Sequence, residues 1–154
     1  MAMVAVSVYL TLGVLHLRYP YEIEWMEGGL VDEILRVASG QKIYVRPTLD
    51  FVPYLYAPLY FYVSAAFTKL LGPGFLAPRL VSYLSSIGAI ALIARFVHRE
   101  TRGDRFAAAL AGGLFAATYC QSAAFFDIAR VDSLFLVLTL ASLYLLRFHP
   151  APRA

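Results

Sequence analysis

Long apolar stretches separated by short polar segments run along most of this chain, and they predict helices that cross a membrane. Residues 2–18 are almost entirely apolar and reach about the minimum length for crossing a bilayer. Three later stretches have the same character. The predicted spans are residues 2–18, 79–97, 106–126 and 133–147, and residues 19–78 form one long loop between the first two.

A further apolar stretch, residues 54–71, is interrupted by proline, charge and glycine. Pro58 stands near its start, Lys69 stands near its end, and a Gly-Pro-Gly sequence at residues 72–74 stops it. The helical length that remains is too short for a full crossing and suits a re-entrant or interfacial segment. We therefore place this stretch within the long loop.

The positions of the basic residues support this placement. Loops rich in arginine and lysine lie on the cytoplasmic side of membranes. With residues 54–71 at the interface, the arginine-rich loop at residues 98–105 and the end of the last span at Arg147 are both cytoplasmic. If residues 54–71 crossed the membrane, both would lie outside. The predicted topology therefore has both termini in the cytoplasm and the long loop on the outer face.

Inside the long loop, residues 27–39 have the periodicity of an amphipathic helix, and Gly40 is suited to end it. Asp32, Glu33 and Arg36 fall on the polar face. The apolar positions are Leu30, Val31, Ile34, Leu35 and Ala38. The predicted fold is thus an all-α integral membrane protein with four transmembrane helices, a single membrane domain over residues 1–154. Its long outer loop carries two amphipathic or interfacial helices.

Composition agrees with a membrane location. Hydrophobic residues make up 60% of the chain and charged residues 15%, whereas soluble domains are about 45–50% apolar and about 25% charged. In a membrane protein the position of basic residues matters more than the net charge of +3, so nucleic acid is not an expected partner. The single cysteine, Cys120, can form no internal disulfide.

Three carboxylates follow the first span, Glu22, Glu24 and Glu27, with two glycines directly after them. A carboxylate beside hydrocarbon is costly unless it faces water, a metal ion or a cationic partner. The predicted topology brings Asp127 and Asp132 to the same face of the membrane. These acids are either a functional site or solvated loop residues. Glu27 also has a structural alternative, because a helix N-terminus favours negative charge.

Acids gathered in this way suit two kinds of chemistry. One acid after the first span, Glu24 or Glu27, can act as a general base towards an acceptor hydroxyl. Asp132, together with Asp127 and Glu27, can bind a divalent cation such as Mn²⁺ or Mg²⁺, which prefers oxygen ligands and commonly bridges to phosphate. The sequence leaves the division of these roles open.

Two arginines and several tyrosines share this face. Arg79 and Arg130 are candidates for pairing with phosphate oxygens. Their alternative role is snorkelling, or pairing with a neighbouring acid. Tyr56 and Tyr60 belong to a group of tyrosines typical of an aromatic belt at the membrane interface.

Four short motifs, in this order along the chain, resemble the C-type membrane glycosyltransferases, the superfamily of the protein O-mannosyltransferases and of the aminoarabinose transferase acting on lipid A. The first resembles the acidic motif of the family's first outer loop, and the last resembles its small-x-x-Asp-x-Leu motif. The motifs are EWMEGG at residues 24–29, YAPLYFY at 56–62, APRLVS at 77–82 and ARVDSL at 129–134.

The resemblance implies an active site on the outer face, a polyprenyl-phosphate-linked sugar donor, usually a divalent metal, and inversion at the anomeric carbon. It places the base on Glu24 or Glu27 and makes Asp132 the acid of the second loop. Tyr56 and Tyr60, with Arg79 and Arg130, are then expected to bind substrate. Glu stands here where many family members carry Asp, so the choice between Glu24 and Glu27 stays open.

Family members have more spans than the four predicted here, so the resemblance implies a fragment or one half of a split glycosyltransferase. Hexosyl or pentosyl transfer is then expected only when a C-terminal half completes the enzyme, in a prokaryotic plasma membrane. The alternative is a non-catalytic four-helix membrane subunit that binds lipid or a partner membrane protein. In that case the acids serve solvation and helix capping.

Overall fold

Six helices and no β-strands make up residues 1–149, the part of the chain that the computed structural model describes. The prediction of an all-helical protein is confirmed for these residues, while residues 150–154 of the predicted domain lie outside them. The helices are α1 (Ala2–Leu17), α2 (Glu27–Ala38), α3 (Leu59–Leu71), α4 (Leu76–Glu100), α5 (Arg105–Ala117) and α6 (Asp132–Phe148).

Helix α4 is the centre of the fold. It is 25 residues long and packs against α1, α3, α5 and α6. Helix α1 also packs on α5, and α2 packs on α3, so α2 and α3 form a smaller layer beside the first half of α4. Within residues 1–149, α4 alone is long and apolar enough to cross a membrane.

The helix lengths do not support four membrane spans. The predicted spans at residues 2–18, 106–126 and 133–147 correspond to helices of 16, 13 and 17 residues. A straight crossing of the hydrocarbon core needs about 20 residues. The predicted span at 79–97 lies wholly inside the longer α4.

The largest difference from the predicted elements is the early end of α5 at Ala117. The hydroxyls of Thr118 and Ser122 donate to backbone carbonyls three residues earlier. Ala123 and Ala124 then adopt left-handed φ values of 50° and 62°, which an α-helix does not contain. Residues 118–131 are therefore a folded connection between α5 and α6, and we refer to them as the connecting segment.

Helices α2 and α3, the two helices predicted inside the long loop, are bounded by the proline and glycine residues that the sequence places beside them. Helix α3 starts directly after Pro58 and ends before Gly72, as expected for a residue that restricts φ and one that tolerates positive φ. Helix α2 is followed by Gly40, whose φ is 74°. The apolar face of α2 packs on α3 and the start of α4. The buried members of this core are Leu30, Ile34, Ile43, Tyr60, Phe61, Ala65 and Val81.

A second core joins α1 to α4 and to the connecting segment through aromatic side chains. Tyr9 of α1 packs against Tyr83 of α4 and against Tyr119, and its hydroxyl hydrogen-bonds to that of Ser86. The ring of Tyr83 lies directly on Gly13, where a Cβ would overlap it. This core holds the end of α1 against the segment that carries Asp127 and Arg130.

Candidate functional site

A buried ion pair between Arg79 and Glu27 lies at the centre of the candidate site. Both side chains are fully buried. Arg79 belongs to the first turn of α4 and Glu27 to the first turn of α2. The Nε of Arg79 donates to Oε1 of Glu27 at 2.9 Å, and its Nη2 donates to Oε2 at 2.7 Å. This two-point arrangement fixes both side chains.

The other N–H groups of Arg79 reach the backbone that follows α1. Nη1 donates to the carbonyls of His16 at 3.0 Å and Tyr19 at 2.6 Å, and Nη2 donates to the carbonyl of Tyr21 at 2.7 Å. All five N–H groups of the guanidinium are therefore used within the protein. In this conformation Arg79 offers no free donor to a phosphate group, and its evident role is to tie α1, α2 and α4 together.

Glu27 is as fully engaged as its partner. Besides Arg79, the backbone N–H of Ile23 donates to Oε2 at 2.7 Å and that of Ala129 donates to Oε1 at 2.6 Å. Burial raises the pKa of the Glu27 carboxyl, but the hydrogen bonds from Arg79, Ala129 and Ile23 outweigh burial and hold it below its usual value. A carboxylate in this state is a weak proton acceptor and has no coordination position free for a metal.

A second, more open group forms around Arg130. Its Nε donates to Oδ2 of Asp132 at 2.9 Å, and its Nη1 donates to Oε2 of Glu24 at 3.3 Å. The same Glu24 oxygen accepts the backbone N–H of Met26 at 3.1 Å. The Glu24 side chain is 15% exposed and that of Asp132 47%. Among residues 1–149, nothing donates to Oε1 of Glu24 or Oδ1 of Asp132, so each acid keeps a free oxygen.

An apolar cleft of about 300 Å³ adjoins this group. Val131 lies between Arg130 and Asp132 in the chain and lines the cleft. The hydroxyl of Tyr56 contacts Sδ of Met26, which Nη1 of Arg130 also contacts at 3.1 Å. The cleft is lined by Tyr56, Ala57, Leu59, Tyr60, Val131, Leu134, Phe135 and Leu138. The site thus combines a charged rim with an apolar interior.

The two tyrosines predicted to bind substrate have different positions in this cleft. Tyr60 is buried, and its hydroxyl bonds to the carbonyl of Pro78 at 2.9 Å and to Oγ of Ser82 at 3.0 Å. It is a wall of the cleft whose polar group is already satisfied. Tyr56 is half-buried, and the hydroxyl of Tyr44 bonds to its backbone carbonyl. Of the two, Tyr56 is the one whose side chain faces both the cleft and the charged rim.

Asp127 lies apart from Asp132 and pairs with histidine. Its side chain is fully buried, and Oδ2 lies 2.8 Å from Nδ1 of His16. Oδ1 has no hydrogen-bond partner among residues 1–149. Burial raises the pKa of the Asp127 carboxyl, and pairing with His16 opposes that shift only in part. Sequence reasoning missed His16, because nothing in the sequence ties it to an acid so distant along the chain.

The three predicted metal ligands, Glu27, Asp127 and Asp132, are each bonded to a different cationic or histidine partner. Within the described part of the chain, no group of three or more His, Cys, Asp or Glu side chains is arranged to hold a metal ion. These ligands do not converge in this conformation. The divalent cation stays a prediction.

Glu33, which the helical pattern placed on the polar face of α2, is fully buried, and that prediction is wrong. Its Oε1 accepts the backbone N–H of Tyr54, and its Oε2 has no partner among residues 1–149. Burial raises the pKa of this carboxyl. Position 33 lies three residues after Leu30 and four before Val37, so it borders the apolar face. That spacing is the signal that could have revealed its burial.

No protein-family model, curated protein or solved structure matches this chain. The fold does, however, bring the four sequence motifs into contact with one another. Glu27 of the first motif bonds to Arg79 of the third and to Ala129 of the fourth. Tyr60 of the second motif bonds to Ser82 of the third, and Ser82 bonds to the carbonyl of Arg130 in the fourth.

Proposed function

We propose that this chain is the N-terminal catalytic part of a C-type membrane glycosyltransferase, which moves a sugar from a polyprenyl phosphate to an acceptor. The observation that carries the proposal is the convergence of the four motifs on one site, through hydrogen bonds between residues far apart in sequence. Motifs that matched by chance would have no reason to share a hydrogen-bond network.

The exposed apolar surface supports a membrane location. Large apolar side chains of α1, α5 and α6 face outwards, where lipid can cover them. They are Val4, Val8, Val14, Leu15, Phe106, Leu110, Leu114, Phe135, Leu138, Leu143, Leu145 and Leu146. We propose that α4 crosses the bilayer and that α1, α5 and α6 lie in it beside α4, the bilayer adapting to their shorter length. Helices α2 and α3 then lie at the outer interface of a prokaryotic plasma membrane.

Glu24 is the better candidate for the base. Its Oε1 is free and its side chain is partly exposed at the rim of the site, whereas both oxygens of Glu27 are committed to Arg79 and backbone N–H groups. In the proposed reaction the acceptor hydroxyl gives its proton to Glu24 as its oxygen attacks the anomeric carbon. The bond between the anomeric carbon and the phosphate oxygen breaks, and the polyprenyl phosphate leaves with the bonding electrons.

Arg130 is suited to receive that phosphate. Its Nη1 and the hydroxyl of Tyr56 contact the same sulfur atom of Met26, and Tyr56 lines the apolar cleft, which has the character needed for an isoprenoid chain. Asp132 is its more exposed partner, so a phosphate oxygen can replace Asp132 at Nε. Charge pairing with an arginine at a water-poor site stabilises developing negative charge strongly. Arg79 contributes by holding the loop that carries Glu24, without touching the substrate.

One observation favours the alternative of a non-catalytic membrane subunit. Glu27 and Asp127 are engaged with partners inside the protein, which is what a structural role for the acids requires. On this view the apolar cleft binds a lipid or a helix of a partner protein, and the charged rim merely closes it.

The test is sugar transfer from a panel of polyprenyl-phosphate donors, with and without Mn²⁺, in membranes that contain the product of the full open reading frame. We expect Glu24→Gln to reduce transfer by about 10²–10⁴-fold, the usual contribution of a positioned base. Asp32→Asn, an exposed acid on the neighbouring helix, is the matched control and should keep activity. Full activity in Glu24→Gln would refute the base assignment, and no transfer from any donor would favour the subunit.

A further inference from the structure

The His16–Asp127 pair borders a second cleft, separate from the apolar one. This cleft has a volume of about 330 Å³ and is lined by His16, Tyr19, Glu22 and Ile23. It shares no lining residue with the apolar cleft. The proposed sugar transfer involves none of the side chains of this cleft. A ligand bound here would therefore be a separate one.

Asp127 fixes the orientation of the histidine ring. Nδ1 of His16 lies 2.8 Å from the buried Oδ2 of Asp127 and 3.2 Å from the hydroxyl of Tyr119. In the neutral ring, a carboxylate acceptor at Nδ1 selects the tautomer with the proton on Nδ1, which leaves a lone pair on Nε2. Nε2 has no partner among residues 1–149, and the side chain is 27% exposed. The neutral ring, which lines the cleft, therefore keeps one unused hydrogen-bond acceptor.

Glu22 supplies negative charge to the same cleft. It forms no ion pair within residues 1–149, and its Oε1 lies directly against Gly28, where a Cβ would overlap it. The residue is exposed, and its carboxylate lies beside the start of α2. The nearby guanidinium of Arg79 is already neutralised by Glu27. No lysine or arginine lines the cleft, so its net character is anionic and hydrogen-bond accepting.

We propose that this cleft binds a primary ammonium group. Such a group is a compact cation with three N–H donors, so one can pair with the Glu22 carboxylate and one can donate to Nε2 of His16. Tyr19 lines the same cleft, and aromatic rings attract cations. Asp127 acts as a positioning residue, because it sets the ring orientation without touching the ligand. The proposal does not depend on sugar transfer.

The test is histidine-selective NMR of the full chain in detergent micelles at one fixed pH. The chain has three histidines, and the variants His98→Gln and His149→Gln assign the His16 resonance. Three probes are added separately: ethanolamine, ethylene glycol and tetramethylammonium. We expect a saturable shift of the His16 resonance with ethanolamine and none with neutral ethylene glycol. Tetramethylammonium, which has no N–H donor, should bind at least about tenfold more weakly.

Variants then locate the binding. Glu22→Gln should weaken ethanolamine binding at least about tenfold, because a charge-assisted hydrogen bond is lost, whereas the control Asp32→Asn should leave it unchanged. The proposal is overturned by the absence of a saturable shift, by a response to ethylene glycol or tetramethylammonium equal to that to ethanolamine, or by unaltered affinity in Glu22→Gln. If circular dichroism shows that Glu22→Gln has lost helix, the comparison of the three probes on the unmodified chain decides by itself.

Discussion

Replacing Glu27 by glutamine tests whether the buried ion pair is structural. The substitution keeps the shape of the side chain and removes its charge, which leaves Arg79 charged and fully buried. The glutamate oxygens accept four hydrogen bonds, two at each oxygen. The amide of glutamine has only one oxygen, so two of the four donors face an NH₂ group instead.

Each buried donor that loses its acceptor costs about 1–3 kcal/mol, and breaking a buried ion pair from one side costs about 3–5 kcal/mol in total. We therefore expect Glu27→Gln to lower the free energy of unfolding by about 3–5 kcal/mol. The same reasoning explains why Glu27→Gln cannot distinguish a catalytic from a structural role by activity alone. A variant that unfolds also loses activity.

The pH dependence provides an independent check. The pKa of Glu27 is lower in the folded than in the unfolded protein. The charged side chain therefore adds to the free energy of unfolding at pH values above the usual pKa of glutamate. This stabilisation is lost as the pH falls through the lowered pKa of the folded protein. Glu27→Gln lacks this dependence. The stability difference between the two proteins should therefore shrink on acidification.

The measurement is denaturant unfolding of the full chain in detergent micelles, followed by far-ultraviolet circular dichroism and by the fluorescence of Trp25, the only tryptophan. The control is Glu100→Gln, the same change in an exposed ion pair with Arg147, where no resolvable loss is expected. If Glu27→Gln lost no more stability than the control, the structural role assigned to the Arg79–Glu27 pair would be wrong.

Three further predictions use the same unfolding assay. Gly13→Ala should destabilise by about 1–3 kcal/mol, because its Cβ overlaps the Tyr83 ring, while Gly112→Ala, whose Cβ meets its nearest neighbour at 3.4 Å, should cost nothing. Asp104→Ala removes the side chain that caps α5 through two backbone N–H groups and should cost about 0.5–2 kcal/mol. Glu33→Gln should stabilise the protein at neutral pH, since burial raises the pKa of Glu33 and penalises its charged form. That gain should vanish as the pH falls below about 4.

Local signals in the sequence were sufficient for the helices of the long loop. Pro58, Gly72 and Gly40 act within a few residues of where they stand, and the observed ends of α2 and α3 follow them. The end of α5 could not be predicted in this way. An apolar composition continues past Ala117, and what stops the helix is the packing of residues 118–131 against α1 and α2.

Four of the predicted site residues lie close together in the structure, but their pairings could not be predicted from the sequence. Glu24, Glu27, Arg79 and Arg130 were all expected near one another, and the structure joins them in two ion-paired groups. The sequence could not assign a partner to each acid, because that depends on which backbone carbonyls and N–H groups surround it. The sequence predicts that Arg79 binds phosphate. The structure instead uses its N–H donors for Glu27 and for the backbone carbonyls after α1.

The balance of acids and cations decides where chemistry can occur in this protein. The charges of Arg79 and Glu27 balance each other, and all their hydrogen-bond donors and acceptors are used within the protein. A change of partner by either residue therefore costs free energy. Arg130 instead serves two acids and leaves a free oxygen on each. Glu22 has no cation at all within residues 1–149. A reacting hydroxyl is therefore expected beside Arg130, where an acid can take its proton, and an external cation beside Glu22, where a charge is still unmatched.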